Sequence, residues 1–213
     1  MDLLLIAGTS FFVGLSGAMM PGPMLTVAIT ETARRGFRAG PLIVVGHGVV
    51  ELLLSVALAF GVGQVLQLSR VGGSIGIVGG VVLLWMAYGM LRSAWLREVS
   101  LSAMSGNRDG GLGPVLAGGL VSVSNPYWII WWATVGVSYV AWSSAAGALG
   151  LVAFFGGHIL SDLGWFSLIA LLVASGRRML SDGIYRAILI ACGLFLVGMS
   201  VYFVISGLHA WLA

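Results

Sequence analysis

Apolar runs long enough to cross a bilayer take up nearly all of this chain. Six can be drawn, at about 3–30, 38–65, 71–93, 112–141, 146–175 and 185–210, and each exceeds the roughly 20 residues that a spanning helix needs. Backbone in hydrocarbon must satisfy its own hydrogen bonds, which leaves helices or closed barrels. Barrel strands would read as alternating segments of about 10 residues, and these runs are longer and continuous. The sequence therefore predicts an all-α membrane protein with six transmembrane helices, forming a single transmembrane domain over 1–213 with no room for a soluble one. Composition agrees: charged residues make up 8% of the chain and hydrophobic ones 59%, against about 25% charged in soluble domains. No basic segment precedes the first run, which is in register with a later one, so it reads as a permanent helix rather than a cleaved signal.

All ten basic residues are arginines. Arg34, Arg35 and Arg38 fall at the connection of runs 1 and 2, Arg92, Arg97 and Arg108 at that of 3 and 4, and Arg177, Arg178 and Arg186 at that of 5 and 6, the flanking run ends included; Arg70 alone lies on the other side. The positive-inside rule makes those three connections cytoplasmic and puts both termini outside. The net charge of +3 is thus a mark of topology. A nucleic-acid partner would require a contiguous basic face, and none is present.

The chain carries one unusual pattern twice. A proline-interrupted run is followed in the next run by Gly-His-x-x-x-acid: Pro21-Gly22-Pro23, then Gly46-His47 and Glu51; Ser124-Asn125-Pro126, then Gly157-His158 and Asp162. Two units result, repeat 1 at about 1–96 and repeat 2 at about 112–213, joined by a polar linker at about 97–111. Three helices per unit is an odd number, so the second unit enters the membrane in the opposite sense. Such inverted repeats place a binding site near mid-membrane between the units.

The chemistry follows from cost. Pro21 and Pro23 around Gly22 remove donors and clash with the preceding turn, so the first span should break there. Freed backbone groups at membrane depth are tolerated only against protein or a watery cavity, which makes Pro21, Gly22, Pro23, Ser124, Asn125 and Pro126 the expected solute site. A charged side chain at a helix centre costs about 2.5 to 3.5 kcal/mol on insertion scales, so His47, Glu51, His158 and Asp162 should face the interior. Each His/acid pair is four residues apart, on one helix face. An imidazole beside a carboxylate can exchange protons near neutral pH, and the same four side chains could hold a cation; the alternative is a structural polar pair within each helix.

Ser122, Ser124 and Asn125 could bind a solute carboxylate or satisfy freed carbonyls. Trp128, Trp131 and Trp132 read as packing or lipid contacts, and Trp142 as an interfacial anchor. Glu31 reads as a solvated partner of Arg34 and Arg35. Gly72, Gly76 and Gly80 form a small-residue stripe for close helix approach, within the bundle or in a homodimer. Cys192, the single cysteine, excludes an internal disulfide and reads as a small buried side chain.

Pro-Gly-Pro in the first span, the turn Arg34-Arg35-Gly36-Phe37-Arg38-Ala39-Gly40, the glycine-bearing second span and Asn125-Pro126 together resemble the LysE/RhtB family of exporters, over essentially the whole chain. The resemblance implies a six-helix protein of the bacterial inner membrane that exports amino acids on an ion gradient. Tyr127 stands where the family's amino-acid exporters often have a lysine, and the chain has no lysine. The expected function is secondary active export of a small polar solute, an amino acid or derivative first, driven by the proton gradient with alternating access. The alternative is export of a divalent metal cation on the two His/acid pairs. Enzyme activity is not expected, since there is no His-Glu-x-x-His, no Gly-x-Ser-x-Gly and no cysteine pair. Without a P-loop, the expected partners are solute, coupling ion and lipid, with no cofactor.

Overall fold

The computed structural model describes residues 2–62, 69–96, 113–175 and 182–212. Among them there is helix and no strand. The described residues form nine α-helices: α1 Leu3–Ala18, α2 Pro23–Arg35, α3 Ala39–Ala57, α4 Ser69–Trp95, α5 Pro114–Ser124, α6 Pro126–Trp131, α7 Val137–Ser144, α8 Gly147–Ser175 and α9 Asp182–Leu212, with π-helical turns at Leu58–Val62 and Trp132–Gly136. Among the described residues, four helices can cross a membrane by length and composition, or five if α1 and α2 count as one broken span. The chain is therefore a multi-pass membrane protein. The polar linker at 97–111, and with it Arg97 and Arg108, lies outside the described residues, as do Arg177 and Arg178.

The first span breaks where the prolines require it. The Pro21 ring cannot fit against the carbonyl one turn earlier, and α1 ends at Ala18 with Met19 as its cap. Pro23 then opens α2 at its first turn, where its missing N–H costs nothing. The two axes meet at 80°. The second break is smaller: α5 ends at Ser124, Asn125 is extended, and Pro126 starts α6. The Asn125 side chain accepts from Tyr127 N at 3.1 Å and caps the new helix. Gly36, at φ 84°, closes α2 in a conformation that suits glycine.

Helices pair across the two halves. α1 packs on α8, α3 on α5, and α4 on α9, so the first helix of each half meets the second helix of the other. Small residues set these approaches, as membrane interfaces favour. A Cβ on Gly157 would collide with the Ala7 carbonyl of α1, and one on Gly46 with the Val115 carbonyl of α5. These are the glycines that precede the two histidines. The glycine stripe on α4 is used inside the bundle: Gly76 and Gly80 lie against the Phe203 and Ser200 carbonyls of α9, joined by Gly73 against Gly207. Cys192 is buried.

Ile6 of α1, Trp132 of the second π turn and Phe154 of α8 are buried together, which fixes the Trp132 ring beside the middle of α8. Glu31 is buried at 7% exposure, contrary to the expectation of a solvated charge; the Arg35 guanidinium donates to it at 2.7 Å and Arg34 lies at 3.4 Å.

Candidate functional site

Four ionisable side chains from the two halves meet in the interior. Glu51, Asp162, His158 and His47 are 1, 3, 4 and 7% exposed. His47 Nε2 lies 3.0 Å from Glu51 Oε1, its own helix partner, and 3.7 Å from Asp162 Oδ2 of α8. His158 Nε2 lies 3.2 Å from Glu51 Oε1 and 3.7 Å from Asp162 Oδ2. His158 is thus nearer the acid of the other half than the acid one turn along its own helix. The pairs form one mixed cluster, in place of two isolated ones. The close packing of α1 on α8 makes room for it: a Cβ on Gly14 would fall 2.6 Å from His158 Nδ1.

The hydrogen bonds are unequal. Ser122 Oγ donates to the Gly118 carbonyl at 2.7 Å and stands 2.6 Å from His47 Nδ1. A hydroxyl has one proton, so with that proton on Gly118 the Nδ1–H of His47 donates to Ser122. Nε2 is then bare in the neutral ring, and its approach to Glu51 is favourable only with an imidazolium, a protonated acid or a bridging cation. Trp128 and Trp132 both donate their indole N–H to Glu51 Oε1 at 3.0 Å. Trp131 stacks on the His158 ring, with centroids 4.8 Å apart. Glu51 Oε2, Asp162 Oδ2 and His158 Nδ1 are buried without a hydrogen-bond partner among the described residues.

A cavity of about 70 Å³ adjoins the cluster, room for a few water molecules. Pro21, Gly22 and Pro23 line it from the first break, Asn125 from the second, and His47, Glu51 and His158 from the cluster. Asp162 lies behind the two imidazoles and does not line it. Ser124 is elsewhere: it is exposed, and its hydroxyl donates to the Leu120 carbonyl at 2.5 Å. Ser122, two residues earlier and 2% exposed, is the serine that reaches the cluster. Pro126 is the first residue of α6. Sequence reasoning missed Trp128, Trp131 and Trp132; the available signal was their spacing of three and four residues on one helix face just after the Asn-Pro break.

The family model for LysE type translocators matches residues 15–207, which takes in both breaks and all four cluster residues. The chain belongs to the LysE type translocator family. This LysE-type protein is also similar to the chemotactic transduction protein ChpE of Pseudomonas aeruginosa, 25% identical over 189 residues that cover 88% of this chain and 91% of that protein. No solved structure matches it. Membership places the protein among membrane translocators, in keeping with its apolar helices.

Proposed function

We propose that this LysE-type protein is a secondary active exporter of a small polar solute, an amino acid or derivative, energised by the proton gradient. One observation carries the reading: a single chamber is lined at once by both backbone breaks and by His47, Glu51 and His158. Broken helices in the membrane can offer backbone groups to a solute, here at Pro21, Gly22 and Pro23; at the second break the Asn125 N–H and carbonyl are already bonded to Ser122 and Ile129, and Asn125 and Pro126 shape the wall. The imidazoles and carboxylates beside them exchange the coupling protons. Solute and proton therefore occupy neighbouring places, the arrangement that lets one control the other.

Six spans in two inverted repeats complete the proposal, with α5, α6 and α7 together making the fourth. The reciprocal packing of α1 on α8 and α3 on α5 supports it, because a pseudo-two-fold relation exchanges those pairs. Rocking of one half against the other would open the chamber alternately to each side. The arginine distribution then puts the arginine-rich connections in the cytoplasm and the termini outside, in a bacterial inner membrane.

A second reading has a divalent cation as the cargo. Ligand atoms of His47, Glu51 and Asp162 lie within 4.8 Å of one another, and mixed nitrogen and oxygen donors suit such ions. One experiment separates the readings. Proteoliposomes holding the full chain are loaded with a mixture of radiolabelled amino acids, or with Zn²⁺ or Mn²⁺, and placed under an imposed pH gradient. Efflux of an amino acid that stops in Glu51→Gln supports the first reading. Efflux of the metal alone supports the second, and efflux of neither refutes both.

A further inference from the structure

The three tryptophans that sequence spacing leaves as packing residues sit on a short segment and on the turn that follows it, beside the solute chamber and the cluster. α6 is six residues long, Pro126–Trp131, and is bounded by the extended Asn125 on one side and the π turn Trp132–Gly136 on the other. π turns interrupt regular helical bonding and recur at functional sites, so this segment has an irregular joint at each end. Asn125, Tyr127, Trp128 and Trp131 line the chamber; a solute there touches this segment. The same segment and the first residue after it hold the cluster. Trp128 and Trp132 donate to one oxygen of Glu51, each at 3.0 Å, while the other oxygen has no partner among the described residues. The remaining groups facing that carboxylate are His47 from its own helix and His158 from α8, with Asp162 beyond them. Gly136 contributes too, since a Cβ there would run into the Trp132 ring.

We infer that Trp128 and Trp132 are positioning residues that clasp the Glu51 carboxylate and so tie the cluster to the segment that faces the solute. A displacement of α6 by solute draws the Trp128 indole away from Glu51 and loads the joint that holds Trp132, and a displacement of Glu51 pulls on α6. The consequence for transport rests on the export reading above; the clasp does not.

Two measurements on the full chain in phosphatidylcholine vesicles test this. Ultraviolet resonance Raman reports the hydrogen bonding of indole N–H groups. Glu51→Ala should move that band toward the unbonded position for two of the eight tryptophans, and Asp162→Ala should leave it in place. An unmoved band in Glu51→Ala overturns the inference. Where Glu51→Ala does not fold, Glu51→Asp, which shortens the reach by one methylene, decides by the same band. The second measurement uses the radiolabelled amino-acid mixture. In Trp128→Phe/Trp132→Phe, efflux driven by the pH gradient should fall by about tenfold or more, the scale of losing one charge-assisted hydrogen bond, while exchange at equal pH should fall far less. Trp95→Phe, at an exposed tryptophan away from the chamber, should show neither loss. Equal loss of exchange and driven efflux in the double variant assigns the indoles a purely structural role and overturns the inference. Wild-type vesicles that move no amino acid refute the export reading, and the Raman band still decides the clasp.

Discussion

The two halves of this LysE-type protein carry nearly the same sequence pattern and use it differently. Glu51 of the first half is clasped by two indole N–H groups and approached by both imidazoles. Asp162 of the second half has the two imidazoles at 3.7 Å and no hydrogen bond to Oδ2 among the described residues. The histidines differ as well: His47 is tied through Nδ1 to Ser122, whereas His158 is held by the face of Trp131. Even the breaks differ, an 80° bend at Pro21-Gly22-Pro23 against a one-residue step capped by Asn125. What the halves share is the backbone approach, a glycine before each histidine against a carbonyl of the other half. Repeated glycines set where the site forms, and unrepeated side chains set what each member does there.

The largest expected effect breaks that asymmetry at its stronger side. Glu51→Ala leaves two indoles and two imidazoles without their shared acceptor and should destabilise the protein by about 3–5 kcal/mol, the cost of removing one partner from a buried charged pair. Asp162→Ala should cost less, about 1–2 kcal/mol, because nothing among the described residues donates to Oδ2 at hydrogen-bond distance. Denaturant unfolding in mixed micelles compares the two, and equal losses would contradict the asymmetry.

Next come the shared glycines, where the halves should behave alike. Gly46→Ala and Gly157→Ala each drive a methyl into a backbone carbonyl and should each cost about 1–3 kcal/mol through overpacking. Gly164→Ala, with nothing within 4 Å of the added carbon, should stay within about 0.5 kcal/mol. Thermal unfolding midpoints read all three. The smallest contrast separates two serines: Ser122→Ala should cost about 1 kcal/mol for the lost bond to His47, and Ser124→Ala close to nothing. Chemical denaturation of the paired variants checks it.

Much of this was legible in the chain. Bilayer thickness fixes the length of a span, so the apolar runs located α3, α4, α8 and α9 to within a few residues, whereas the run at 112–141 is divided among α5, α6 and α7; a broken first span follows from two prolines around Gly22. The cost of burying charge sends His47, Glu51, His158 and Asp162 inward whatever the packing details. The rotation of each helix about its axis was not legible. Ser122 and Ser124 lie about 200° apart on a helix, and alignment of the repeats selects Ser124 while the Gly118 contact with the Ile43 carbonyl turns Ser122 to the cluster. Spacing of four residues pairs His158 with Asp162, but the approach of α1 and α8 brings it nearer Glu51. Tryptophans after a break look the same in sequence whether they face lipid or donate to an acid, so Trp128 and Trp132 read as packing.

A double-mutant cycle between Glu51 and His158 tests most directly whether the two halves share one site. Unfolding free energies of Glu51→Gln, His158→Ala and the double variant give the interaction energy without reference to any solute. Residues in contact should be non-additive by about 0.5–3 kcal/mol, and the coupling across the halves should exceed that of His158 with Asp162 inside one helix. Additivity of Glu51 and His158 within about 0.3–0.5 kcal/mol would contradict the shared site.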